Sequence, residues 1–258
     1  MLIGDEALEK LRNSRVAVFG VGGVGGYAAE ALARSGVGAI DLIDSDEIAE
    51  SNLNRQIVAL TSTVGQGKAE TAAARIADID PSIRVAVHKL FFLPEQHGDL
   101  DFRDYDYIVD AVDTVAAKLE IIKCAAEAGV PVISAMGCGN RLDPSKLRIC
   151  DINKTFNDPL AKVVRRKLKD IGVPKLDVVF SEELPVKPEI PTGSGNSLVD
   201  GAAVTPASDV AEMTARGSVK LAENGPATGK RSPASMIFVP ACAGLMMAGY
   251  VCRKLAGI

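Results

Sequence analysis

Apolar and polar positions along the chain fall into two rhythms. Short apolar runs at residues 15–20, 39–44, 84–89, 107–112 and 130–135 predict strands, the first ending on Gly20 and the second on Asp44. Between them, residues 27–35, 67–79 and 116–129 place alanine and leucine at helical spacing. Pro81 lies just beyond the second helix and Gly129 closes the third. Strands alternating with helices predict an α/β fold, a mainly parallel sheet with helices on both faces.

After Gly139 the rhythm changes. Residues 147–151 and 178–181 read as strands flanking one charged helix at 159–170, which predicts an extension of the sheet by antiparallel strands in the C-terminal half. Residues 186–233, rich in Pro, Gly, Ser, Thr and Ala, read as a long loop with one short helix at 208–216. Residues 234–252 contain no charge, and 19 residues are just long enough for a membrane span. Pro240 and the many Gly and Ala residues favour instead a buried helix or a subunit interface. The Arg253-Lys254 flank leaves peripheral membrane association as the alternative. The whole chain, 1–258, is expected to form one domain with a nucleotide-binding half at 1–139 and a C-terminal half at 140–258.

Composition narrows this picture. At 258 residues with 47% hydrophobic positions the chain can bury one large core. A net charge of -4 excludes a generally basic surface, so a nucleic-acid partner must be held by a local patch. The five cysteines include no Cys-x-x-Cys pair, which predicts a reducing cytoplasmic setting and no thiolate zinc centre. Residues 1–15 mix acidic and basic groups and do not read as a secretory signal.

The chemistry concentrates after the first strand. Gly20, Gly22 and Gly25, with Gly23 between, form a G-x-G-x-x-G turn between strand and helix, where the backbone can approach a phosphate and helix amides attract it. Asp44 at the end of the second strand is placed to accept hydrogen bonds from a ribose. These features alone fit NAD, FAD, S-adenosylmethionine or ATP. Asn52, Arg55 and Gln56 just downstream, and Lys68 opening the next helix, add cations that a triphosphate with a pyrophosphate leaving group needs. Asp113 lies at the carboxyl edge of the sheet, where it is suited to hold Mg²⁺, while Asp110 is equally a helix cap or a turn residue.

The set Gly20-x-Gly-Gly-Val-Gly, Asp44-x-Asp46, Asn52-Leu-Asn-Arg-Gln56, Gly65-x-x-Lys68 and Asp110-x-x-Asp113 resembles the ThiF/MoeB-type adenylating enzymes, relatives of the ubiquitin-activating enzymes. That resemblance spans residues 4–135. It implies a Rossmann-like fold, a homodimer or heterodimer, with the homodimer expected here, carboxylate adenylation with Mg-ATP, ribose binding by Asp44, phosphate contacts by Asn52, Arg55 and Lys68, and metal binding by Asp113. Asp46 and Gln56 belong to the same nucleotide-binding set, with Arg55, Lys68 and Asp113 as its catalytic members.

Lacking paired zinc cysteines, and carrying Gly137-Cys-Gly-Asn-Arg-Leu-Asp-Pro144, Lys154-Thr-x-x-Asp-Pro-Leu-Ala161 and Phe238-Val-Pro-Ala-Cys-Ala-Gly-Leu245, the chain is similar to the tRNA threonylcarbamoyladenosine dehydratase branch. The branch's reaction activates the carboxylate of the threonylcarbamoyl group on adenosine 37 of tRNA and closes it to a ring. The resemblance also implies a cysteine-desulfurase or sulfur-acceptor partner and no role for DNA. Adenylation of a ubiquitin-like sulfur carrier is the alternative.

For the tRNA, Lys162, Arg165, Arg166 and Lys169 recur at i, i+3, i+4 and i+7 and are expected to form one cationic stripe, with Lys167 beside it. Cys138 is the cysteine nearest the expected site and reads as a buried thiol rather than a nucleophile. His88 and His97 show no ligand spacing and carry no assigned role.

Overall fold

In the computed structural model, residues 2–98, 100–186 and 234–258 are described. The loop expected at 186–233, apart from its first residue, and the short helix at 208–216 lie outside them.

Strands β1 (Arg15–Phe19), β2 (Ala39–Ile43), β3 (Arg84–His88), β4 (Tyr107–Asp110), β5 (Val132–Ala135), β6 (Leu147–Asp151) and β7 (Asp177–Ser181) form one seven-stranded sheet in the order β3-β2-β1-β4-β5-β7-β6. Every pairing is parallel except β6 with β7. The extension in the C-terminal half is thus an antiparallel pair in which β7 itself runs parallel to β5 and only β6 is reversed.

Side-chain alternation along the strands sorts two cores. Val16, Val18, Ile40, Leu42 and Val109 point to one face, where they meet α1 (Gly4–Asn13), α2 (Gly25–Arg34), α3 (Lys68–Ile79) and α6 (Phe238–Ala256). Ala17, Phe19, Ile43 and Ile108 point to the other, packing with Phe92, Phe102 and α4 (Val115–Ala128). Helix α5 (Pro159–Asp170) extends that second layer, inserting Ala161, Val164 and Leu168 against Val178 and Phe180. Helix α1, not anticipated from the sequence, buries only Ala7 and Leu11.

The uncharged segment at 234–252 becomes the greater part of α6. A Cβ on Gly244 would overlap the Val24 carbonyl oxygen, so α6 lies in backbone contact with the start of α2, as only glycine permits. Among the described residues no helix is long and apolar enough to cross a membrane.

Candidate active site

Strand order reverses between β1 and β4, and the crevice outside their carboxyl ends is where open α/β sheets take ligands. The turn after β1 forms its floor. Gly20 has φ +84°, and a Cβ there would lie 2.9 Å from the Ala111 carbonyl oxygen. At Gly25 a Cβ would overlap the Gly20 carbonyl oxygen, so strand end and helix start touch directly.

Gly22 and Gly23 face open space instead. A Cβ on Gly22 would meet only Gln56 Nε2, at 3.7 Å, and one on Gly23 only Pro240 and the Arg55 stem, at 3.5 Å or more. These glycines leave a cradle rimmed by Arg55, Gln56 and the first turn of α6. Gln56 is buried, yet its Oε1 has no hydrogen-bond partner. An orphaned amide oxygen costs on the order of 1–3 kcal/mol, which a donor on a bound ligand offsets.

The other expected residues ring this turn. Asp44 Oδ2 accepts from the Val21 amide at 2.6 Å and Oδ1 from the Asp46 amide at 2.8 Å, fastening the end of β2 to the glycine turn. Burial pushes the Asp44 carboxyl above its ordinary value, against the pull of Lys68 and the two amides. Lys68, nearly buried at the start of α3, sets its Nζ 2.8 Å from Asp46 Oδ2. Asp46 therefore positions this lysine. Asn52 Oδ1 accepts from the Ala49 amide at 3.1 Å, shaping the short 3₁₀ turn that presents Arg55 and Gln56. Arg55 Nη1 donates to the Ser51 carbonyl at 2.8 Å and to Asn54 Oδ1 at 3.0 Å. Asp113 is exposed just past β4, with a single 3.4 Å contact from Thr114 Oγ1. An exposed carboxylate suits Mg²⁺, a hard cation that keeps much of its hydration.

Asp110 is not a spare acid. Fully buried, it accepts from Lys118 Nζ at 3.0 Å and Ser134 Oγ at 2.5 Å, while its other oxygen takes the Val112 amide at 3.2 Å. It is a turn residue and also half of an internal ion pair. Lys118 and Ser134 escaped the sequence reading. The signal was present, since Lys118 stands on the apolar face that Ile121, Ile122 and Ala125 define at i+3, i+4 and i+7. Arg141 was also missed as a site group. It is buried, with Nη2 donating to the Asn157 carbonyl at 2.7 Å and neither Nε nor Nη1 partnered. Asp158 caps α5 through the Ala161 amide and accepts from the Gly137 amide, both at 2.9 Å. Burial and Asp158 push the Cys138 thiol up to about 12, so this cysteine stays protonated at neutral pH.

The cationic stripe on α5 needs one correction. Arg165 Nη1 donates to the Thr155 carbonyl and hydroxyl, both at 2.9 Å, and to the Ile152 carbonyl at 3.2 Å. The turn before α5 captures its guanidinium. Lys162, Arg166 and Lys169 remain exposed.

With this geometry described, comparison with known proteins gives consistent matches. The ThiF family model matches residues 1–257. A Bacillus subtilis protein named tRNA threonylcarbamoyladenosine dehydratase is 43% identical over 258 residues, 99% of this chain and 92% of the relative. The Escherichia coli protein of the same name is 41% identical over 196 residues, 73% of each chain. The solved E. coli structure of that dehydratase in complex with ATP superposes with a TM-score of 0.78 at 32% identity, covering 99% of this chain and 91% of the other.

Proposed function

The chain belongs to the ThiF family, and on that footing we propose that it is an ATP-dependent enzyme that dehydrates and cyclises N6-threonylcarbamoyladenosine at position 37 of tRNA. The observation carrying this reading is a glycine cradle rimmed by Arg55 and Gln56 after β1, with Asp44 bonded to the same turn and Lys68 held by Asp46 beside it.

In this reading the substrate carboxylate attacks the α-phosphorus of ATP and pyrophosphate leaves. The carbamoyl nitrogen then attacks the activated acyl carbon, releasing AMP and closing the ring. The protein's work is positioning and charge neutralisation. Gly22 and Gly23 admit the phosphates, and Asp44 takes the ribose. Lys68 and Arg55 exchange their present oxygen partners for phosphate oxygens. Asp113 would hold Mg²⁺, which would offset phosphate charge as pyrophosphate departs. Lys162, Arg166 and Lys169 supply local positive charge for tRNA on an otherwise acidic protein. A protonated Cys138 fits chemistry in which no thiol is acylated.

We place the enzyme in the cytoplasm as a homodimer, using the exposed apolar groups Met236, Phe238 and Leu245 at the start and along one side of α6 as the interface. Co-sedimentation with liposomes would assign that patch to peripheral membrane contact instead.

The test is incubation of the protein with ATP and either threonylcarbamoylated tRNA or a sulfur-carrier protein, followed by mass spectrometry of nucleosides and measurement of AMP. The expected result is a tRNA nucleoside lighter by one water, formed only with ATP and lost in Arg55→Ala. AMP release that depends on the carrier and not on RNA would replace the proposal with sulfur-carrier activation.

A further inference from the structure

On the opposite side of the sheet from the α2 and α6 helices, the connection between β3 and β4 folds back onto α4. There His97 Nε2 lies 3.2 Å from Glu120 Oε1, and Cys124 Sγ lies 3.6 Å from the same oxygen. All three ligand atoms fall within 4.8 Å of one another. We propose that His97, Glu120 and Cys124 form a zinc-binding site that clamps the β3–β4 connection to α4.

The spacing carries the argument. Zinc takes nitrogen and oxygen at about 2.0–2.2 Å and thiolate sulfur at about 2.3 Å in a tetrahedron, so bound N and O stand about 3.3 Å apart and S and O about 3.5 Å. The two observed separations lie close to those edges, and the nitrogen and sulfur stand within 4.8 Å of each other. Hydrogen bonding accounts for the sulfur contact, with Cys124 Sγ donating to Glu120 Oε1, but not for the imidazole, because His97 Nε2 is buried and makes no hydrogen bond despite its closeness to the carboxylate. The nitrogen is out of line with that oxygen.

The surroundings hold the donors in place. The Phe92 ring stacks on the imidazole with centroids 4.9 Å apart and planes 11° from parallel. Glu120 is buried, and Cys124 stands one helical turn further along α4. Burial and the Glu120 carboxylate push the Cys124 thiol up to about 11. Metal binding displaces that proton to solvent as the metal–sulfur bond forms. Lys123 Nζ, 3.5 Å from Glu120 Oε1, neutralises this carboxylate now. Its side chain is nearly half exposed and can leave to water as the metal arrives. One nitrogen, one oxygen and one sulfur donor suit zinc rather than Mg²⁺ or Ca²⁺, and water completes the four-coordinate shell.

The test uses the full chain after chelator treatment, titrated with Zn²⁺ by calorimetry and with Co²⁺ by absorbance. One equivalent of Zn²⁺ per chain is expected, together with a Co²⁺–thiolate charge-transfer band and the visible bands of tetrahedral cobalt. Cys124→Ser removes the charge-transfer band, and His97→Gln and Glu120→Gln each weaken Zn²⁺ by at least about tenfold. Circular dichroism verifies that the variants fold. A wild-type protein without the thiolate band overturns the site, as do well-folded variants that bind Zn²⁺ like wild type. Should Cys124→Ser not fold, the wild-type cobalt spectrum and the His97→Gln affinity still decide.

Discussion

Replacing Lys118 with methionine leaves a carboxylate inside the protein with no cation to answer it. Lys118 and Asp110 both have side chains at 0% exposure and stand 3.0 Å apart. Methionine is an unbranched side chain of similar length, so the volume change is small and the lost charge dominates. Removing one partner of a buried pair costs about 3–5 kcal/mol. A domain of this size loses about 2–4 °C of Tm per kcal/mol, which gives a drop of roughly 6–20 °C. The double variant Lys118→Met with Asp110→Asn is the control. Asparagine keeps its one oxygen for the Val112 amide, turns its NH2 as a donor to the Ser134 hydroxyl, and removes the stranded charge, so the double variant should recover more than half of the loss. Urea unfolding of wild type, both single variants and the double variant measures the coupling directly. A single-variant cost below about 1 kcal/mol, or a double variant no more stable than Lys118→Met, refutes the reasoning. The measurement bears on function because Asp110 fixes the turn carrying Ala111, whose carbonyl sits against Gly20.

The two kinds of glycine in the turn should separate stability from binding. Gly25→Ala forces its Cβ into the Gly20 carbonyl and lowers Tm sharply, whereas Gly22→Ala folds normally and loses ATP affinity by calorimetry. Asp41, buried in β2, bonds Arg15 twice at 2.9 Å, His88 at 2.9 Å and Tyr105 at 3.1 Å. Burial works to raise its carboxyl, but these partners outweigh burial and hold it below the ordinary value. Its stabilisation is therefore present above the unfolded carboxylate range and is lost as pH falls through the lower folded value. Asp41→Asn should destabilise at pH 7, with the gap from wild type closing below about pH 4 in urea titrations. Arg165→Ala should lower Tm while leaving tRNA affinity near wild type, and Lys162→Ala with Arg166→Ala should do the reverse and flatten the salt dependence of binding. Cys138→Ala should retain cyclisation activity in the nucleoside assay, because a thiol titrating near 12 supplies no thiolate at neutral pH. Activity lost from a folded Cys138→Ala would contradict that assignment.

What the sequence made legible is what local periodicity encodes. Short apolar runs located the strands, and the glycine spacing located the turn, since Gly25 answers to the Gly20 carbonyl just before it in the chain. Helix α1 stayed hidden because it turns only Ala7 and Leu11 inward, too narrow a stripe to register as periodicity. The direction of β7 was not encoded either, because alternation fixes which face a side chain takes and not which way the strand runs. Arg165 kept its place in the helical pattern, but carbonyls from the preceding turn took its guanidinium. His97 meets Glu120 and Cys124 only after β3–β4 folds onto α4, so no spacing along the chain announces that cluster.

The C-terminal segment shows the limit most clearly, because hydropathy cannot distinguish a protein environment from a lipid one. What distinguishes them is the contact of Gly244 with Val24, a backbone approach that places Pro240 beside Gly23. Asn54 Nδ2 then donates to the Ser235 carbonyl at 2.8 Å, joining the loop that carries Arg55 to the segment leading into α6. The first turn of the last helix is thereby part of the wall of the glycine cradle. The expected nucleotide-binding half at 1–139 leans on the other half: without α6, the glycine turn loses one rim and α2 exposes the apolar face that Ala28, Ala29 and Leu32 now bury. In the proposed function, nucleotide binding therefore draws on both ends of the sequence together.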